Sequence, residues 1–288
     1  MQFKHISILW AFVCGTIVAG AQNQNESSKP IVLGTSRTFY SKELTENRTV
    51  NIYLPEGYNI QDTIHYPVIY LLDGGIDEDF IHVVGLVQFY TFPWIHLLPP
   101  TIVVGIANVN RQRDFTYPTT IEEEQKRYPN AGHSDRFIQF LEKDLMPYIN
   151  QAYRTDSFRT LIGESLGGLL ASEILIKKPA LFYQYIIISP SLWWDNGSLL
   201  SMPYTKGNDR RSTKVYIAVG KEGIWPGKTP HMMEVDANLL ADKLTKEGRT
   251  ELRVYFDYLP EENHATISHP ALMRALHRLY SNSQTEHP

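Results

Sequence analysis

Phe158-Arg159-Thr160-Leu161-Ile162-Gly163-Glu164-Ser165-Leu166-Gly167-Gly168 reads as a strand that turns at once into a helix. Residues 158–162 are apolar and β-branched enough for a buried strand. Leu166, Leu169, Leu170, Ile174 and Leu175 then recur at helical spacing as far as Lys177. Between the two stands G-x-S-x-G. A serine on so sharp a bend is pushed to its tip, and Gly163 and Gly167 lack the Cβ atoms that would collide when strand and helix pack this closely. The helix N-terminus then aims free N–H groups and the positive end of its dipole at the hydroxyl. The stretch predicts a nucleophile elbow at Ser165. The plain alternative is a strand–helix turn without chemistry, because G-x-S-x-G alone is common.

The flanking sequence repeats the alternation. Strands are expected over residues 37–44 and 49–54, with a turn at Asn47, and over 67–73, 101–107, 185–189, 214–220 and 252–258. Helices are expected over 134–153, 236–246 and 270–280, with Ser134 as a cap of the first and Pro147 kinking it or ending it early. Strands alternating with helices predict an α/β fold, a mostly parallel sheet with helices on both faces. In such sheets ligands sit at the carboxyl ends of the strands. Asp73-Gly74-Gly75, Asn108, Ser165, Ser189-Pro190, Glu222 and His264 all fall just past such ends.

Composition bounds the rest. With 288 residues and 43% hydrophobic side chains, the chain can bury the core of one α/β domain. A net charge of −4 argues against nucleic acid as a partner. Residues 1–21 combine a short basic start, an apolar run and Ala19-Gly20-Ala21, the pattern of a secretory signal peptide. An uncleaved anchor is the alternative, but the run is short for a membrane span, so no stable membrane insertion is expected after cleavage. Residues 22–36 read as a flexible leader and 37–288 as a single domain, periplasmic or secreted. The one cysteine, Cys14, lies in the apolar run, so the mature chain has no disulfide, thiol nucleophile or cysteine-bound metal.

A serine hydroxyl needs a base. In chain order Ser, acid, His, the base is expected at His264, in the loop after the last strand; His269 at the start of the following helix is the alternative, and His277 on that helix reads as exposed. The orienting acid is expected at Glu222, directly after the 214–220 strand, with Asp236 as the alternative and a Ser–His dyad also open; Asp257 comes too early on the last strand. Glu164 is expected to point away from the reaction and pair elsewhere. The oxyanion donors are expected at the Leu166 amide and at Gly74 or Gly75. Arg111 and Arg113 are candidates for binding an anionic or polyol substrate, against a bland reading in which Arg113 pairs with Asp114. Trp193 and Trp194 are candidates for an aromatic wall, against a place in the core.

Several of these stretches together resemble one family. Tyr66-Pro67-Val68-Ile69-Tyr70-Leu71-Leu72-Asp73-Gly74 is similar to the oxyanion strand of the esterase D-like α/β-hydrolases. Val104-Gly105-Ile106-Ala107-Asn108 with Arg111, Arg113-Asp114-Phe115-Thr116 and Pro118 resembles the next strand and loop, and the elbow and Ser189-Pro190-Ser191-Leu192-Trp193-Trp194 fit the same pattern. The resemblance covers nearly all of the mature chain. It lies nearest the branch holding the enterobactin and salmochelin trilactone esterases; feruloyl and acetyl-xylan esterases and mycolyltransferases are more distant. It implies an α/β-hydrolase fold and a serine carboxylic-ester hydrolase without metal or organic cofactor. Relatives commonly carry the acid at the third position after the strand's glycine, whereas Glu222 is at the second, and some siderophore esterases work as a dyad. The implied partner is a small-molecule ester, a siderophore trilactone, or else an acylated oligosaccharide. A fold that has kept its shape as a binding protein without catalysis is the reading of another class.

Overall fold

The computed structural model describes residues 28–205, 213–225, 229–247 and 252–281. The expected signal peptide therefore lies outside the described residues. The chain divides into a short N-terminal unit, Met1–Leu33, of which residues 28–33 form no regular element, and one compact unit, Gly34–Pro288.

Eight strands make the main sheet. In chain order they are β1 (Thr35–Ser41), β2 (Glu46–Tyr53), β3 (Tyr66–Leu71), β4 (Ile102–Ile106), β5 (Thr155–Glu164), β6 (Gln184–Ile188), β7 (Thr213–Gly220) and, after a two-stranded hairpin, β10 (Leu252–Leu259). Their spatial order is β1-β2-β4-β3-β5-β6-β7-β10. β2 runs antiparallel to β1 and β4, and every pairing from β4 to β10 is parallel. The hairpin pairs β8 (Ile224–Trp225) with β9 (His231–Met232). The inner strands β3, β4 and β6 are buried at every residue, as expected of strands covered on both faces. This is the α/β-hydrolase fold.

The expected turn at Asn47 is displaced. Asn47 pairs with Tyr40 inside the β1–β2 ladder, and the chain reverses over residues 42–45, with Thr45 in the left-handed region at φ 57°. The break expected at Pro147 does not occur. Helix α4 (Ser134–Gln139) passes through one wide π-turn (Phe140–Leu145) into α5 (Met146–Ala152), with Pro147 in the first turn of α5. Proline lacks an N–H and crowds the carbonyl four residues back; the wider turn just upstream lets the helix admit it. Ser134 is the first helical residue and makes no side-chain cap.

Four further helices were not predicted: α1 (Phe80–Thr91), α2 (Arg111–Phe115), α3 (Glu122–Arg127) and the short α7 (Ser198–Ser201). The remaining helices, α6 (Leu166–Lys177), α8 (Met233–Lys246) and α9 (Ser268–Tyr280), lie where the periodicity put them. No helix among the described residues is long and apolar enough to cross a membrane.

Candidate active site

β5 runs straight into α6, and Ser165 stands between them at φ 57°, ψ −117°. That conformation is costly for a residue with a Cβ, so the surroundings must hold it. They do so from both sides: Ser165 N–H donates to the Ile188 carbonyl at 3.0 Å, and its own carbonyl accepts from Leu169 at 2.9 Å and Ser191 at 3.0 Å. A Cβ on Gly163 would stand 2.3 Å from the Gly167 carbonyl oxygen, and one on Gly168 would stand 2.9 Å from the Ile188 carbonyl oxygen. Only hydrogen at these two positions lets the helix start this close to the sheet.

The Ser165 hydroxyl is 3.0 Å from His264 Nε2, and His264 Nδ1 is 2.5 Å from Glu222 Oε2. The three groups come from the ends of β5, β10 and β7, as the parallel sheet predicts. Glu222 Oε1 accepts from the Ser189 hydroxyl and from the Gly220 amide at 3.2 Å. The backbone around it is pinned in turn, because Glu234 of α8 accepts from the amides of Glu222 at 2.9 Å and Gly223 at 3.0 Å. Burial alone would raise the Glu222 carboxyl, but the hydrogen bonds from His264 and Ser189 outweigh it and hold the group below its ordinary range. The bond to Glu222 raises His264 above its ordinary value, against a smaller lowering by burial. A neutral imidazole tethered at Nδ1 leaves Nε2 free to accept the serine proton, so the arrangement can activate a nucleophile. His269 does not share in it: its ring lies edge-on to His82. Asp236 instead pairs with His231 at 2.8 Å, Asp257 accepts from the Tyr216 hydroxyl at 2.8 Å, and His277 bonds to Ser281.

The Ser165–His264–Glu222 chain opens on a cavity of about 460 Å³. Leu166 lines it and opens α6, so its amide is among the first-turn N–H groups with no helical acceptor. The second expected donor needs correction. The Gly74 N–H is spent at the strand end on the Ile106 carbonyl, at 2.9 Å, and a Cβ there would lie 2.3 Å from Gly105. Gly74 is therefore a close-approach residue between β3 and β4. The Gly75 N–H donates to Glu78 Oε2 at 2.6 Å, and neither glycine lines the cavity.

The two arginines part company. Arg111 lines the cavity; its Nε and Nη2 grip Asp73 at 2.6 and 2.9 Å, and Nη2 also reaches the Glu164 carbonyl at 3.1 Å. Arg113 is withdrawn as a substrate ligand. Its guanidinium is held by Glu46 and by Asp114, the latter at 2.7 Å, and it does not reach the cavity. Together with Arg48, which is wholly buried and 2.6 Å from Asp114, it ties α2 to β2. The tryptophans also differ. Trp194 is buried at 1% exposure, with its indole N–H on the Tyr117 carbonyl at 2.8 Å, so only part of its surface borders the cavity. Trp193 stacks flat on Trp225, with centroids 4.1 Å apart and planes 8° apart.

Trp225 and Ser191 also line the cavity and were missed in the sequence. Trp225 ends a two-residue strand, too short to show a period. Ser191 Oγ lies 3.3 Å from Ser165 Oγ, and its place in a Ser-Pro-Ser run was the only signal.

Glu164, the neighbour of Ser165, turns away from the cavity and accepts from the Ser268 hydroxyl at the start of α9. That bond ties the elbow to the His264 loop. Burial pushes the Glu164 carboxyl up to about 7; Ser268 opposes this, and Asp79 and Asp73 add to it. Between its ordinary value of 4.5 and about 7, the folded chain holds a proton that the unfolded chain releases. Stability from this group is therefore lost as pH rises through about 7, at a cost on the order of 3 kcal/mol. Glu164→Gln stays neutral and keeps an acceptor for Ser268. Thermal unfolding at about pH 8 is expected to show a higher Tm for the variant, and scans at about pH 4 no difference; a lower Tm at pH 8 would reject this account.

Residues 41–264 match the family described as "Putative esterase". The chain belongs to this esterase family, in its enterobactin and salmochelin esterase branch, and is an ester hydrolase. It is similar to the ferri-bacillibactin esterase BesA of Bacillus subtilis, 29% identical over 253 residues that cover 80% of this chain and 84% of that protein. It is similar also to an IroE-like serine hydrolase of Shewanella oneidensis, 34% identical with a TM-score of 0.76 over 86% of this chain and 80% of the other. The enterobactin and salmochelin hydrolase IroE, at 21% identity, shares the fold, with a TM-score of 0.62 over 87% of this chain and 97% of its own.

Proposed function

We propose that the protein hydrolyses an ester bond of a siderophore through an acyl-Ser165 intermediate. The observation that carries this reading is the continuous chain Ser165 Oγ, His264 Nε2, His264 Nδ1, Glu222 Oε2, with links of 3.0 and 2.5 Å, opening on an aromatic-walled cavity. His264 takes the proton as Ser165 Oγ attacks the acyl carbon. The Leu166 amide receives the tetrahedral oxygen as the carbonyl π-bond opens. Collapse breaks the bond to the leaving oxygen, which receives the proton from His264. Water, deprotonated by the same imidazole, then attacks the acyl-serine; collapse expels Ser165, which recovers its proton and frees the acid. Arg111, on the cavity lining, offers positive charge to an anionic chelate, although Asp73 neutralises part of it.

The substrate class rests on BesA and on the siderophore esterases among the relatives. Export rests on residues 1–21 alone, and the single mature domain on the composition. The test is a panel of a catecholate trilactone with and without iron, methyl ferulate, acetylated xylan and short p-nitrophenyl esters. The trilactone is expected to give the highest kcat/KM, by at least about tenfold, equal to 1.4 kcal/mol in the transition state. Preference for ferulate or xylan would overturn the siderophore reading and leave the esterase intact.

A further inference from the structure

Ser191 stands where the chain turns out of β6 toward Trp193, and that turn is pressed against the start of α6. A Cβ on Gly168 would lie 3.0 Å from Pro190 Cα, so glycine there lets the turn come in close. The backbone of the turn is fixed. Ser191 N–H donates to the Ser165 carbonyl at 3.0 Å, and the Ser191 carbonyl accepts from Trp194 at 3.2 Å. At 2% exposure Ser191 is nearly closed off from solvent, yet it lines the cavity together with Ser165, Leu166 and His264. Among the described residues its hydroxyl has one hydrogen-bond partner, Ser165 Oγ at 3.3 Å.

Which of the two hydroxyls donates follows from a third group. His264 Nε2 lies 3.0 Å from Ser165 Oγ and must accept the Ser165 proton for that oxygen to attack. With this O–H directed at His264, the Ser165 oxygen is left as an acceptor, and Ser191 is the donor between the pair. Once Ser165 Oγ gives a lone pair to an acyl carbon, it becomes a poorer acceptor. Ser191 then holds an O–H beside the new tetrahedral oxygen, which is bonded to the same carbon as Ser165 Oγ. Rotation about the Ser191 side-chain bonds redirects the donor, and no backbone moves. Donors are scarce at this place. The Leu166 amide has no helical acceptor, but Gly74 N–H is spent on Ile106 at 2.9 Å and Gly75 N–H on Glu78 at 2.6 Å.

We propose that Ser191 is a further catalytic residue, whose hydroxyl donates to the tetrahedral oxygen as the second donor beside the Leu166 amide. The inference rests on the acyl-Ser165 reading above and supplies the side chain that stabilises its developing charge. Ser191 keeps its own proton throughout; it forms no covalent bond and passes a hydrogen bond from Ser165 to the substrate. A donor carried on backbone that is already bonded, in a nearly solvent-closed corner, stabilises charge with little reorganisation. An interaction made only as the charge appears lowers the barrier without tightening the substrate complex.

The test compares the best-cleaved ester of the panel above with its thionoester, in which C=S replaces C=O. Sulfur accepts hydrogen bonds weakly, so wild type is expected to favour the oxygen ester. Ser191→Ala is expected to lower kcat on that ester by about 10²-fold with KM nearly unchanged, and to cut the ester-to-thionoester ratio of kcat/KM by at least about tenfold. Ser191→Thr, which keeps an O–H, is expected to hold the ratio near its wild-type value. Equal losses on ester and thionoester in Ser191→Ala would mean that the residue only orients Ser165, and would overturn the proposal; so would an unchanged kcat. A crystal structure of wild type carrying a trifluoromethyl ketone on Ser165 needs no variant. Ser191 Oγ at about 2.5–3.0 Å from the hemiketal oxygen upholds the role, and a separation beyond hydrogen-bond reach overturns it. If wild type cleaves no ester of the panel, the esterase reading itself has failed and this role falls with it, an outcome distinct from an unchanged ratio in an active enzyme.

Discussion

Ser165→Ala is expected to lower kcat by roughly 10⁶-fold on any ester the enzyme accepts, with little change in stability. The hydroxyl is the only atom removed, and its contacts are His264 at 3.0 Å and Ser191 at 3.3 Å. The backbone bonds that hold the left-handed turn all survive, so the elbow should keep its shape. Substrate binding and the Leu166 amide also survive, so the residual rate should still exceed that in water by roughly 10³-fold. A fluorophosphonate probe gives the direct readout: labelling of wild type and none of the variant. Equal labelling would transfer the nucleophile elsewhere, and Ser191 would be the residue to examine first, because it lines the same cavity.

Glu222→Gln is expected to cost roughly 10²- to 10⁴-fold in kcat. The amide can present its NH₂ to His264 and so favour the tautomer with the proton on Nε2, where the imidazole cannot accept from serine. The same change removes the hydrogen bond that raises His264, so the acid limb of the kcat/KM profile should move to lower pH even as the plateau falls. The two effects separate the readings: an unchanged plateau means that a Ser–His dyad suffices, and a fallen plateau with an unmoved limb means that Glu222 acts by packing alone. Stability has a different window. The raised His264 contributes below about 6.5 and loses that contribution as pH rises through its folded value. The lowered Glu222 contributes above about 4.5 and loses that as pH falls through its own. The pair therefore supports the fold most between those values, whereas turnover needs the neutral imidazole at higher pH.

Much of this site was legible because its signals are local. The elbow is a run of adjacent residues, and helix α6 begins and ends where the 166–177 pattern placed it. His264 and Glu222 lie within hydrogen-bond reach of one another and of Ser165, as their positions past strand ends led one to expect, because a parallel sheet brings the ends of its strands to one edge. The bonding of the 74–75 loop was not legible, for the opposite reason. Nothing in Gly74-Gly75 tells that one amide is consumed by β4 and the other by a side chain three residues on. Arg113 and Arg111 are two apart on a short helix, and only tertiary placement of Glu46 and Asp73 sends one to a buried ion network and the other to the cavity. Helix α1 escaped because it is apolar on nearly all sides, which leaves little amphipathic contrast to read.

The strand ends carry a further consequence. Leu72 N–H bonds to Ile162, Ser165 to Ile188, and Ser189 to Ala218, at 3.0, 3.0 and 2.8 Å, so each chain leaving the sheet is latched to the next strand over. The left-handed residues Asp73, Ser165 and Ser189 sit at or beside these latches. Ser165 thus belongs mechanically to the sheet, and its position is geared to four strands at once. Trp193 is tied to the same frame, because Ser191 two residues before it donates its N–H to the Ser165 carbonyl at 3.0 Å, and Trp225 of the β8–β9 pair stacks on it. A substitution that loosens one of these strand ends would therefore be felt at Ser165 and at Trp193 together.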